Sequence, residues 1–372
     1  MKRKFLTGLL SVVMVATMLA GCAGKEDEVS NTTDTNGTEG SAESGEYHFE
    51  IVSKGFQHQY WQAVLKGAEE KAAELGVTIN FVGPNSESDI ADQVQMVNNA
   101  VSQKPAAIGL AALDTNACLD AIQSAKDAGI PIIGFDSGVP NAPEGAVLAN
   151  CSTDNYAAGE LAAEKTYEAL KERIANASES VRIGVLSQDA TGESTVNRGL
   201  GFVDKFAELV AADGKTATVE GNEKFVSDST CEKTPGADVV IEVLVPSTVD
   251  SALSATDCAT LLNKKDTIGI YGSNQHSGEA MVTANENLQR FGSEDDKVIG
   301  VTFDSGEVIK AAVADGTFVG AVTQAPVAMG QALIEALVKA ANGESVSDID
   351  TGCQWYTADN MEDPEIEPNL YD

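Results

Sequence analysis

Short apolar runs alternate with helix-spaced amphipathic segments along most of this chain, and that alternation restricts the fold more than any other feature. Residues 47–53 read as a strand. The next segment puts Trp61, Val64, Leu65, Ala68, Ala72 and Leu75 on one helical face. Gly76 follows the last turn, where a glycine commonly ends a helix. A strand over 77–82, a helix over 89–102, a strand over 106–112, a helix over 116–128 and a strand over 130–135 complete the series. The run 106–112 is almost wholly apolar, as a strand covered on both faces is. Strand–helix–strand repeats build parallel sheets with right-handed crossovers. The series then starts again, with helices over 156–174, 196–212 and 249–262 and strands over 181–187, 215–220, 239–246, 267–273 and 298–303. The expected fold class is α/β, with two doubly wound, Rossmann-like parallel-sheet domains. Ligands of such sheets bind beyond the carboxyl ends of the strands, so two facing sheets predict a cleft between domains.

The first 46 residues obey a different rule. Lys2, Arg3 and Lys4 precede an apolar run over 5–20 that is short for a membrane span and ends in small residues. The run closes on Leu19-Ala20-Gly21-Cys22, which resembles a bacterial lipobox. That predicts a signal peptide over 1–21, cleavage before Cys22, and lipidation of Cys22 at the extracytoplasmic face of the cell membrane. Residues 23–46 contain no aromatic side chain and are dominated by Ser, Thr, Gly, Asn and acids. They read as a disordered acidic tether.

The formal net charge is -33, with acids spread through the body as well as the tether. Nucleic acid and direct adsorption to anionic lipid are therefore not expected partners, and an anionic ligand is disfavoured unless the cleft is locally basic. Five cysteines follow Cys22, at 118, 151, 231, 258 and 353. They form no CxxC pair and no zinc-like cluster with histidine, so no metal or cofactor is expected. Cys118 and Cys258 fall in helical patterns as small buried thiols, and Cys231 is placed in a loop within possible reach of Cys258. The chain holds no G-x-S-x-G, no H-E-x-x-H and no P-loop, and no enzyme is expected.

Four segments together resemble one family: SKGFQHQYWQAVLKG at 53–67, IPIIGFD at 130–136, CSTDNYAAG at 151–159 and VTFDSGEVIKAAVADGTFVGAVTQAPVAMGQ at 301–331. In this order and spacing they are similar to the type I periplasmic binding proteins of sugar ABC transporters, nearest the ribose-binding branch, over most of 47–358. The resemblance implies three hinge crossings, near 150–153, 324–326 and 350–353. One domain would be 47–152 plus 326–350 and the other 153–325 plus 351–372. It also implies ligand contacts. Tyr60 and Trp61 match paired aromatics that cover a sugar's apolar face, and Asp136 and Gln324 match polar groups that take its hydroxyls.

Several positions depart from the ribose pattern. Lys54 and His58 stand where the family has Ser and Asn, and Ser137 replaces an arginine. Val196 occupies the place of a helix arginine, with Arg198 two residues on as a partial substitute. Gln275, within Ser273-Asn274-Gln275-His276, stands for the third-loop aspartate. The pocket is thus expected to be less charged than a ribose pocket. Asn274 and Asp304 complete the candidate set, and His58 and His276 are expected to meet the ligand from opposing loops. Residues 222–237 read as an insertion, either a surface flap or part of the cleft rim. The function implied is a monomeric, lipid-anchored receptor that captures a small sugar or polyol by domain closure and delivers it to an ABC permease. The alternative is a sensor that presents a sugar, nucleoside or signal molecule to a membrane receptor or kinase. A DNA-binding repressor of the same effector fold is not expected beside the lipobox.

Overall fold

The computed structural model describes residues 47–372 apart from Gln57. The signal segment, Cys22 and the tether lie outside the described residues. The first sheet contains β1 (His48–Val52), β2 (Thr78–Val82), β3 (Ala107–Leu110), β4 (Ile132–Phe135), β5 (Val147–Ser152) and β12 (Ile349–Asp350). Its order is β12-β5-β4-β3-β1-β2 and every pairing is parallel. The second sheet contains β6 (Val181–Leu186), β7 (Ala217–Gly221), β8 (Val239–Leu244), β9 (Thr267–Gly272), β10 (Ile299–Phe303), β11 (Gly320–Gln324) and β13 (Cys353–Tyr356). Its order is β13-β11-β10-β9-β6-β8-β7, and among these strands β13 alone runs antiparallel. The predicted two doubly wound α/β domains are what the chain forms. In each sheet the strand order reverses beside the first strand of the domain, β1 or β6, which opens a crevice at the carboxyl ends.

Helices α1 (Gln59–Leu75), α2 (Ile90–Gln103), α3 (Leu119–Asp127) and α10 (Pro326–Ala341) cover the first sheet. Helices α4 (Asn155–Asn176), α5 (Glu193–Ala212), α6 (Glu223–Asp228), α7 (Ser251–Leu262), α8 (Gln275–Leu288) and α9 (Glu307–Ala314) belong to the second half. Strands β3 and β4 are buried at every residue, as parallel strands between two helix layers must be. One helix pair in each half packs backbone to backbone. A methyl on Gly67 of α1 would fall 2.0 Å from the Val327 carbonyl oxygen of α10. A methyl on Gly201 of α5 would fall 2.1 Å from the Tyr156 carbonyl oxygen of α4. Only hydrogen fits at either crossing.

The chain passes between the sheets after β5, between β11 and α10, and between β12 and β13. The three passages meet at one hydroxyl. Thr153 Oγ1 lies 3.1 Å from Gln324 Oε1 and 3.2 Å from the Gly352 carbonyl oxygen. The tail returns across the gap: the Tyr371 ring meets that of Tyr60 with centroids 6.0 Å apart, and its backbone bonds Ser305 and Gly306.

Residues 222–237 form a largely exposed segment and none of them lines the cleft. Asn222 caps α6 by accepting from the Lys224 N–H, and Phe225 is fully buried against Gly199 of α5. The segment seals the β7 edge of the second sheet. Cys231 packs against the core cluster that contains Phe225, whereas Cys258 is buried in a separate cluster with Leu261 and Ile270. Both are free thiols, so the pairing considered for them does not form. Cys118 and Cys258 are buried as expected, and burial pushes the Cys118 thiol up to about 11.

Candidate functional site: the cleft between the sheets

The site collects residues that follow strand ends. Lys54 comes after β1, Glu87 after β2, Asp136 after β4, Asn274 and Gln275 after β9, Asp304 after β10 and Gln324 at the end of β11. His58, Tyr60 and Trp61 enter from the start of α1, and Thr195 and Arg198 from α5. They enclose a cavity of about 30 Å³. At ~10–15 Å³ per water that is space for about two, so a sugar ring enters only if the walls move apart.

The two aspartates arrive by the same device. Phe-Asp-Ser-Gly occurs at 135–138 and again at 303–306, once in each half. Asp136 (φ 57°) and Asp304 (φ 72°) both take the left-handed backbone that non-glycine residues rarely adopt. The turn swings each carboxylate off its strand and into the cleft. Asp136 Oδ1 accepts the Tyr60 hydroxyl at 2.8 Å, and its Oδ2 lies 3.6 Å from Lys54 Nζ. Asp304 Oδ1 accepts from Gln324 Nε2 at 2.7 Å, and its Oδ2 accepts the Gln275 N–H at 3.0 Å and lies 3.8 Å from Arg198 Nη1. Arg198 donates from Nε to Asn155 Oδ1 at 2.7 Å and lies over the Phe303 ring, 4.0 Å from its centroid.

This pocket carries both signs of charge. Two cations, Lys54 and Arg198, face three carboxylates, Glu87, Asp136 and Asp304. The aspartate that Gln275 was expected to replace is supplied by Asp304 from the neighbouring strand. Gln275 begins α8, and its amide reaches Gln59 and Glu279. Burial opposes the Lys54 ammonium, but Asp136, Glu87 and Asp189 outweigh it and hold the amine charged. Burial likewise opposes Arg198, and Asp304 and Asp136 outweigh it. For Asp304 burial wins over Arg198, Gln324 and the Gln275 N–H, and its carboxyl sits above the ordinary aspartate range.

Two buried atoms of this pocket have no hydrogen-bond partner among the described residues: Asp136 Oδ2, an acceptor, and Arg198 Nη2, a donor. Buried groups of this kind are costly unless something meets them.

Ten of the eleven ligand candidates, Lys54, His58, Tyr60, Trp61, Asp136, Arg198, Asn274, Gln275, Asp304 and Gln324, line the cavity. Ser137 does not. The left-handed turn at Asp136 directs it toward α5, where its Oγ accepts the Ser194 N–H at 3.3 Å. Val196, at the family arginine's place, is buried in the core. His276 is also drawn away from the cavity wall, with Nε2 bonded to Ser254 Oγ at 2.9 Å and its ring edge-on to His58 at 6.0 Å. Nothing in the sequence pattern singles out Glu87 or Thr195. Glu87 lies in a polar loop indistinguishable from a solvated turn, and its place in the loop between β2 and α2 is the one available signal.

A family model described as "Periplasmic binding protein domain" matches residues 49–345. The chain belongs to the periplasmic binding protein family. This is a family of binding proteins, not of enzymes. A solved structure described as an ABC transporter, LacI family transcriptional regulator, from Brachyspira murdochii is 35% identical, with a TM-score of 0.73 over 88% of this chain and 99% of that one. An ABC transporter solute-binding protein from Agrobacterium vitis with bound D-fucose is 29% identical, with a TM-score of 0.71 over 87% of this chain and 100% of that one. The D-apiose import binding protein of Actinobacillus succinogenes is 26% identical over 178 residues, 47% of this chain and 54% of that one. The chain thus spans about half the length of that curated relative. Among the described residues no helix is long and apolar enough to cross a membrane.

Proposed function

We propose that this protein is an extracytoplasmic receptor that captures a small neutral sugar or polyol between its two domains and hands it to an ABC importer. The carrying observation is that two residues lining the cavity each keep a buried atom without a hydrogen-bond partner, the acceptor Asp136 Oδ2 and the donor Arg198 Nη2. A hydroxyl both donates and accepts, so a polyhydroxylated ring satisfies the two together. Glu87, Asp136 and Asp304 outnumber Lys54 and Arg198, which disfavours an acidic sugar. The similarity to a D-fucose-bound receptor and to a D-apiose import protein supports the same class. Both cavity walls come from one chain, so a monomer suffices.

The test is thermal unfolding against D-apiose, D-fucose, other pentoses and hexoses, and polyols. A bound sugar at ~100 times its Kd adds about 2.7 kcal/mol and raises the midpoint. A folded protein that responds to none of them would overturn the sugar assignment.

We further propose that a lipid on Cys22 holds the receptor at the membrane, with 23–46 as its tether. Changing Cys22→Ser should move the protein from the membrane pellet to the soluble fraction. A variant that still pellets with membranes would remove the anchor from the proposal.

A further inference from the structure

We infer that Glu87 and Gln188 form a latch across the cleft that holds the two domains closed and sets how slowly a captured solute leaves. Glu87 follows β2 in the first domain, and Gln188 follows β6 in the second. Glu87 lines the cavity, yet both of its oxygens are already used. Oε1 accepts from Trp61 Nε1 at 2.8 Å, and Oε2 accepts from Gln188 Nε2 at 2.7 Å. Asp136 offers the cavity an unmet oxygen, whereas Glu87 offers none. One of its two bonds, the one from Gln188, joins the domains, and the other fixes it to Trp61 of its own domain.

The orientation of every group in the chain is fixed by the next. Asn274 Oδ1 caps α8 by accepting the Ser277 N–H at 3.0 Å, so its Nδ2 must point the other way. There it donates to Gln188 Oε1 at 2.7 Å. With its oxygen so engaged, Gln188 has only its NH₂ to turn toward the first domain. It meets Glu87 there, and its other contact is a longer one to Asp189 Oδ2 at 3.5 Å. Trp61 approaches Glu87 from the other side, and an indole nitrogen can only donate. Residue 87 therefore faces two donors and must accept twice. A carboxylate does this; a glutamine presents an NH₂ to one of them. Burial opposes the charge, but Lys54, His58 and the two donors outweigh it and hold the carboxyl below its ordinary range. The adjacent Ser88 hydroxyl makes a second crossing, to the Val249 carbonyl oxygen at 3.2 Å. Since Trp61 and Asn274 both line the cavity, opening the latch loosens both walls at once.

The test uses the full chain with Glu87→Gln, Gln188→Leu and the double variant. Without any sugar, the Trp61 indole N–H resonance is followed by NMR and told from that of Trp355 with Trp355→Phe. A latch predicts that Gln188→Leu, on the opposite domain, moves the Trp61 resonance. No movement overturns the latch, whatever the ligand proves to be. The kinetic arm rests on the sugar-receptor reading and uses D-apiose or D-fucose in stopped-flow release. Each single variant should release sugar roughly tenfold faster or more, since one charge-assisted bond is lost. The association rate should not fall, because sugar enters only when the walls part and the latch opposes that parting. The double variant should be no faster than the faster single. Release rates that multiply would show two independent contacts and overturn the latch. If neither sugar binds, the resonance alone decides.

Discussion

Asp136→Asn should weaken sugar binding by roughly 30-fold or more, measured by titration calorimetry. The bond lost is one between a buried carboxylate and a sugar hydroxyl, about 1.5–3 kcal/mol, which is ~10- to 150-fold, and an NH₂ set against the Lys54 ammonium adds to the loss. Asparagine preserves the shape and keeps an oxygen for the Tyr60 hydroxyl, now at 2.8 Å from Oδ1. At the Oδ2 position it substitutes an NH₂, which faces Lys54 Nζ at 3.6 Å and cannot accept a sugar hydroxyl. Lys54 keeps Ser194 Oγ at 3.4 Å and the fields of Glu87 and Asp189, so the fold should survive. Arg198→Met provides the complementary check, because it removes the unmet donor and leaves Asp304 buried without its cation. Binding within about threefold of the native protein for Asp136→Asn would remove this carboxylate from the ligand contacts.

Why Asp136 was legible and Glu87 was not follows from range. Asp136 closes IPIIGFD, a segment that carries the family resemblance, and it ends an apolar strand at the crevice side of a doubly wound sheet. The helices were legible for the same local reason: their apolar spacing and stops such as Gly76 are written within a few residues. Glu87 acquires its role from Gln188, 101 residues away and on the other sheet. Neither residue has a local pattern, and they meet only because the two sheets face each other. The origin of the second aspartate is not visible in the local pattern around Gln275. Gln275 is adjacent to the expected place, but the carboxylate comes from the next strand, where Phe303-Asp304-Ser305-Gly306 repeats Phe135-Asp136-Ser137-Gly138. That repeat was present in the sequence, and it marks the two left-handed turns that aim both aspartates inward. Ser137 was misplaced because the same turn, invisible in the residue types alone, rotates the following side chain toward α5.

Acid should destabilise this protein through His276. The ring is buried, with Nε2 held by Ser254. Burial and then the neighbouring His58 hold its pKa down to about 4, against opposing pulls from Glu87, Asp250 and Asp189. In the unfolded chain the same group titrates near 6.5. As the pH falls below 6.5, the unfolded chain takes up a proton that the folded protein refuses until about pH 4. The depressed value thus stabilises the fold fully above pH 6.5, and that contribution drains away between 6.5 and about 4. At about 1.4 kcal/mol per pH unit the loss is roughly 3 kcal/mol. His276→Gln retains a hydrogen-bonding group for Ser254 and cannot titrate. Urea unfolding of both proteins at several pH values separates this group from the carboxylates, which are common to the two. The native protein should lose about 3 kcal/mol more than the variant on going from pH 7 to pH 4, and the two curves should run parallel above 6.5. Parallel curves over the whole range would mean that His276 titrates alike in both states. A gap that opens below 6.5 and keeps widening below pH 4 would place its folded pKa lower still.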